Sequence, residues 1–222
     1  MRPEADTAGL NTTHIIFGLG NPGPEYAWTP HNAGFIVLDM LAAQWTARWD
    51  RLSGTLQVAR VAREGTEVYL VKPQTYMNCS GKGLLALQEH LDFSWEHFCV
   101  VTDDWDLPVG NLRLRPHGGG GTHNGMRSLL EQRPEGDFPR VRVGIKPPYV
   151  VECLRDYVIG PLPPEEMKRL LCVCERAVEA LTHWVEGQAW PLLMSRYNGP
   201  VACDAGGPEQ EPLAPLERGL NP

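Results

Sequence analysis

Two rhythms of apolar and polar residues alternate along the chain. Short runs rich in β-branched and apolar residues lie at His14–Leu19, Thr55–Val61, Glu67–Val71, Phe98–Thr102, Asn111–Arg115 and Arg140–Ile145, and each predicts a strand. Stretches with apolar residues three and four apart lie between and after them and predict helices. Phe35–Trp49 carries Leu38, Leu41 and Trp45 on one face, and Ser80–Leu91 carries Leu84, Leu87 and Leu91. Asn124–Gln132 reads as a short helix after a glycine run. Pro164–Glu186 has the clearest pattern, with Met167, Leu170, Leu171, Cys174, Ala177, Val178, Leu181 and Trp184 on one stripe. Pro164, Glu165 and Glu166 suit its first turn and Gly187 its end. Strands alternating with helices predict an α/β domain around a largely parallel sheet.

A chain of 222 residues suffices for one domain with its own core. Residues 14–198 hold the patterned elements. Residues 1–13 read as an N-terminal extension, and residues 199–222, rich in Gly, Pro and Glu, as a disordered acidic tail. No apolar run approaches the ~18–20 residues that span a bilayer, and MRPEADTAGLNTT lacks the basic-then-apolar order of a signal peptide. The expectation is a soluble, cytoplasmic protein. Cys79, Cys99, Cys153, Cys172, Cys174 and Cys203 form no C-x-x-C pair or regular framework, so they read as reduced structural thiols.

The net charge of −7 argues mildly against a nucleic-acid partner. Its distribution changes that picture. From Leu107 to Arg155, eight basic residues face four acidic ones, a local excess of +4, while the tail from Pro200 onward carries −3. A basic surface on an acidic protein and an ordinary mixed surface are both compatible with these counts.

The segment HIIFGLGNPGPEY, His14–Tyr26, fits G-x-G-x-x-G at Gly18, Gly20 and Gly23 after an apolar run. A dinucleotide site needs the third glycine to open a helix, and an acidic residue about 20 positions on. Pro22 and Pro24 flank Gly23, Pro30 would interrupt such a helix, and the nearest acid, Asp39, lies inside a helical pattern. The glycines therefore do not read as a cofactor turn.

Ligand sites of open parallel sheets gather at the carboxyl ends of the strands. Asn21 follows the first strand, Asn78 the Glu67–Val71 strand in KPQTYMNCSG, and Asp103 the Phe98–Thr102 strand in VVTDDWDLP. Asn124 ends the loop HGGGGTHNG at a helix start, and His31 precedes the helix after EYAWTPHNAGF. Each has a plainer reading. Asn21 can be a turn residue, Asn78 and His31 can cap helices, and His123 can simply orient its loop. Asp103, Asp104 and Asp106 lack the further ligands of an EF-hand, so no metal is expected. Gly118–Gly121 is either a connection or a loop that presents N–H groups to an anion.

In order, GLGNPGPEY…HNAGF, KPQTYMNCSG, DDWDLPVG, GGGGTHNGMRSL and FPRVRVGI resemble the segments of bacterial-type peptidyl-tRNA hydrolases, over roughly His14–Asn198. The resemblance implies a monomeric α/β domain with a twisted mixed sheet. It implies cleavage of the ester joining a peptide to the 3′-terminal ribose of tRNA, with no metal and no cofactor. By motif, the catalytic histidine falls on His31 and its aspartate partner on Asp103. Asn21, Asn78 and Asn124 fall on the family's asparagines, and Tyr26 lies beside the catalytic pocket. Arg113, Arg115 and Arg140 resemble positions that face tRNA phosphates.

The implied chemistry suits these residue types. Neutral imidazole accepts a proton from water, and a carboxylate on its other nitrogen fixes the tautomer. Side-chain amides donate to a developing oxyanion or bind peptide groups. On this reading Asn21 and Asn78 hold the peptidyl part and place the water, while Asn124 serves the water or the oxyanion. A non-catalytic RNA-binding relative of the same fold is the alternative. The sequence departs from the family pattern at Pro30, Asp104-Trp105 and Thr122.

Overall fold

The computed structural model describes residues 12–203. The expected extension, apart from its last residues, and most of the expected tail lie outside that range. The strands are β1 (Thr13–Gly18), β2 (Trp49–Ser53), β3 (Leu56–Arg63), β4 (Thr66–Pro73), β5 (Phe98–Pro108), β6 (Asn111–Arg115), β7 (Arg140–Lys146) and β8 (Gly199–Pro200). The helices are α1 (Ala33–Gln44), α2 (Ser80–His90), α3 (Asn124–Gln132), α4 (Leu154–Ile159), α5 (Pro164–Val185) and α6 (Trp190–Tyr197).

The strands form one mixed sheet in the order β2-β3-β4-β1-β5-β7-β6-β8. Parallel pairing is confined to its centre, where β4, β1, β5 and β7 lie side by side. Both edges are antiparallel: β2 and β3 form a meander with β4, and β6 pairs with β7 and β8. The pairing of β6 is completed by a side chain. The Leu114 N–H donates to Asn198 Oδ1 at 2.6 Å, where a neighbouring strand would offer a carbonyl.

The period of two along β1 sends its side chains into two cores. Ile16 packs with α1, α5 and α6, whereas Ile15, Phe17 and Leu19 pack with α2 and α3. Among the described residues no helix is long and apolar enough to cross a membrane.

Helix α1 begins with six consecutive buried residues, Ala33 to Leu38, because the sheet and α5 enclose its first turns. Gly34 makes that approach possible. A Cβ there would lie 2.4 Å from the Leu19 carbonyl oxygen and 2.5 Å from that of Val101. The helix stops at Gln44, not Trp49 as its apolar pattern suggests, and Thr46 turns the chain with φ of 55°. Trp49 then opens β2, a strand that the pattern did not signal.

Candidate active site

His31 sits in a 3-10 turn, Pro30–Asn32, that leads directly into α1. Pro30 occupies the first position of the turn, where a fixed φ and a missing N–H are tolerated. Asp103 lies inside β5 rather than beyond its end, in register with Val143 of β7. The two meet in space: His31 Nδ1 is 3.1 Å from both carboxylate oxygens of Asp103.

A second histidine reaches the same carboxylate. His123 Nε2 lies 2.8 Å from Asp103 Oδ1 and 3.1 Å from Thr102 Oγ1. His123 Nδ1 accepts from the Met126 N–H at 3.2 Å and so caps α3. That bond assigns the proton of neutral His123 to Nε2, which donates to Asp103. Asp103 likewise assigns the proton of neutral His31 to Nδ1, leaving His31 Nε2 as an acceptor.

The electrostatics follow from burial and charge. Burial favours neutral imidazole at His31, but the Asp103 charge and its hydrogen bond outweigh it, so the pKa is raised above 6.5. Burial likewise favours a neutral Asp103, only 4% exposed, yet His31 and His123 hold its carboxyl well below the usual carboxylate range.

These groups open onto a cleft of about 620 Å³, also lined by Asn21, Tyr26, Asn78 and Asn124. The sequence candidates for catalysis and peptide binding thus converge on one cavity. Asn21 is the most constrained. Its Oδ1 accepts from the Met77 N–H at 2.8 Å, while its backbone exchanges two hydrogen bonds with the side chain of Asn32. The turn after β1 is therefore clipped both to the His31 turn and to the segment before α2. Asn78 and Asn124 are exposed at the rim. Trp105, one of the departures, stacks edge-on against Tyr157 of α4, with ring centroids 5.6 Å apart.

The arginines divide differently from the expectation. Arg113 and Arg115 lie on β6, half-buried and exposed respectively. Arg140 is not a free phosphate-binding side chain: it is 2% exposed and packs over the Phe138 ring. Its guanidinium donates to the carbonyls of Gly119 and Gly136 at 3.0 Å, bracing the glycine loop from below. Burial foremost, then neighbouring Arg142, lowers its pKa to about 10, still charged at neutral pH. Arg142 and Arg155, which the sequence reading passed over, line the cleft. Arg142 Nε pairs with Asp104 Oδ2 at 2.9 Å.

Asn32 and the double attachment of Asp103 also escaped sequence reasoning. The signal for Asn32 was present in its position beside His31, but its partner lies eleven residues away across a turn. His31, Asp103 and His123 each offer one atom that could ligate a metal, all within 4.8 Å of one another. Their mutual hydrogen bonds already account for that spacing.

Comparison with known proteins bears on the family and the fold. The family profile described as peptidyl-tRNA hydrolase matches residues 15–204. A peptidyl-tRNA hydrolase of Alkaliphilus oremlandii is 41% identical over 186 residues, covering 84% of this chain and all of that protein. One of Pelobacter propionicus is 42% identical over 185 residues, covering 83% of this chain and 95% of that one. The crystal structure of peptidyl-tRNA hydrolase from Acinetobacter baumannii superposes with a TM-score of 0.78 at 31% identity, covering 87% and 98% of the two chains.

Proposed function

The chain belongs to the peptidyl-tRNA hydrolase family and hydrolyses peptidyl-tRNA, and from that premise we propose which of its residues perform the reaction. The observation that carries the assignment is His31 Nδ1 held on the Asp103 carboxylate in a ring that lines the cleft. His31 is the general base. Its Nε2 takes a proton from water as the water oxygen adds to the ester carbonyl carbon. Asp103 stabilises the imidazolium so formed and holds the ring in place. As the tetrahedral intermediate collapses, the 3′-oxygen of the tRNA leaves and takes that proton. The reaction so drawn uses no protein nucleophile, no metal and one copy of the chain, and we infer that it runs in the cytoplasm.

The amides divide the remaining work. Asn124, at the start of α3, donates to the developing oxyanion, a contact worth about 3 kcal/mol of barrier in other hydrolases. Asn78 and Tyr26 line the path of the peptide. Asn21 has its oxygen committed to Met77, so its Nδ2 is what it offers the substrate. On the tRNA side, Arg142 and Arg155 at the cleft and Arg113 and Arg115 on β6 meet phosphates, a sequence-independent contact.

The test is release of free tRNA from an N-blocked aminoacyl-tRNA. The parent protein turns over, and His31→Ala loses about 10²–10⁴-fold in kcat. An unimpaired His31→Ala protein would overturn the assignment.

A further inference from the structure

A second cavity, of about 570 Å³, lies at the end of the sheet opposite the catalytic cleft. It is built where the parallel strands begin, with His14 at the start of β1, Thr66 at the start of β4 and His97 just before β5. The end of α5 and the loop into α6 add Trp184, Gln188 and Trp190. Its walls are aromatic. The His14 ring lies 4.6 Å from the rings of both His97 and Trp184, and Trp184 lies 5.7 Å from Trp190. Its charge has one sign. Glu64, Glu96 and Glu186 line it with their side chains exposed, and no Lys or Arg is among its described lining residues.

Three polar atoms of its lining residues, His14 Nδ1, Gln188 Oε1 and Trp190 Nε1, are shut off from solvent. None has a hydrogen-bond partner among the described residues. Buried polar atoms are normally partnered, so three orphans around one cavity point to a ligand. Burial, then the neighbouring His97, lowers the pKa of His14 to about 4, so its ring is neutral at pH 7. With the proton on Nε2, His14 Nδ1 is an acceptor, as Gln188 Oε1 is. Both call for a ligand that donates. Trp190 Nε1 is itself a donor and adds nothing to that choice.

We propose that this cavity binds a small aliphatic polyamine. Its ammonium groups are drawn to the faces of tryptophan rings and donate to the two orphaned acceptors. Its methylene stems pack along the same rings. The three carboxylates at the mouth supply the opposite charge, and they repel any ligand that carries phosphate. A divalent metal ion has no cage here. Among the described residues, the one cluster of three close metal-ligating side chains is His31, Asp103 and His123, at the other end of the sheet.

The test titrates the full chain with spermidine at low ionic strength and without tRNA, by calorimetry and tryptophan fluorescence. The parent should bind one equivalent saturably. The double variant Glu64→Gln, Glu186→Gln alters exposed side chains and should weaken binding by about 10-fold. It should release tRNA from an N-blocked aminoacyl-tRNA at the parent's rate. Trp190→Leu keeps an apolar wall, removes the ring and should weaken binding by about 5-fold. No saturable binding by the parent would overturn the proposal. So would binding undiminished in both variants, which marks attraction to the net negative charge alone. Displacement of spermidine by an equal concentration of magnesium would overturn it as well.

Discussion

His31 and His123 bond one carboxylate, both reaching Asp103 Oδ1, with their ring centroids 5.0 Å apart. His123 thereby has two separable duties, since its other nitrogen caps α3. His123→Ala should lower kcat/KM by about 10-fold, the worth of one hydrogen bond to a charged group, and also lower Tm through the lost cap. His123→Asn can restore the cap without restoring the bond to Asp103. Its Tm should recover while kcat/KM stays low. If activity returned together with Tm, the effect of His123 would be stability alone.

The same carboxylate sets a pH profile. Protonated His31 cannot act as a base, so activity is lost as pH falls through its pKa. That pKa is raised, so the acid limb of kcat/KM should have its midpoint above 6.5. Asp103→Asn removes the charge that raises it and leaves the burial that lowers it. The variant should lose about 10²–10⁴-fold in rate, and its residual activity should show an acid limb moved to lower pH. A limb that stays in place would mean that another group governs it.

Arg140 and Arg142 stand two residues apart on β7 and should fail in different ways. Arg140→Met takes the guanidinium donor from the carbonyls of Gly119 and Gly136, leaving the latter only the Gly118 N–H at 3.4 Å. It should destabilise the protein by about 2–4 kcal/mol in urea unfolding. Arg142→Ala should raise KM for the tRNA substrate and reduce the salt dependence of binding by about one counterion, and it should also lower Tm because buried Asp104 loses its partner. An Arg140→Met protein of unchanged stability, or an Arg142→Ala protein of unchanged KM, would contradict this division.

His14 makes a separate prediction about stability. It is buried between the rings of His97 and Trp184, each 4.6 Å away, and its Nδ1 has no partner among the described residues. Burial, then the neighbouring His97, lowers its pKa to about 4. Between about pH 4 and 6.5 the unfolded chain binds a proton at this position that the folded chain refuses. Stability therefore falls as pH drops through that window. His14→Leu should lose less stability than the parent there, by about 1–2 kcal/mol after allowance for solvent at the rim of the cluster. Chemical denaturation of both proteins at either end of the window measures the difference, and parallel curves would refute it.

Much of this arrangement was legible in the chain because it is written in local chemistry. Asn21, His31, Asn78 and Asn124 lie in turns or at helix starts, where Gly, Pro and polar residues leave a plain signature. What stayed hidden depends on distance in space. Nothing near Arg140 in sequence says that its guanidinium turns inward beneath the glycine loop. Arg142, two residues along the same strand, was equally plausible by composition and is the more exposed of the two at the cleft, paired with Asp104. Helix α1 looked longer than it is because its apolar residues continue to Trp49, which belongs to β2. Helices α4 and α6 have only six and eight residues, too few for a period to emerge.

The pairing of β6 with β8 and Asn198 bears on how the chain folds as it is made. Strand β6 is synthesised long before its outer partners, which come near the end of the described residues. Until then it has an open edge with Arg113 and Arg115 on it, charges that discourage pairing with other chains. The ribosome must therefore release the C-terminal region before this edge closes, and truncation before Asn198 should trap a species whose β6 amides exchange rapidly with solvent deuterium.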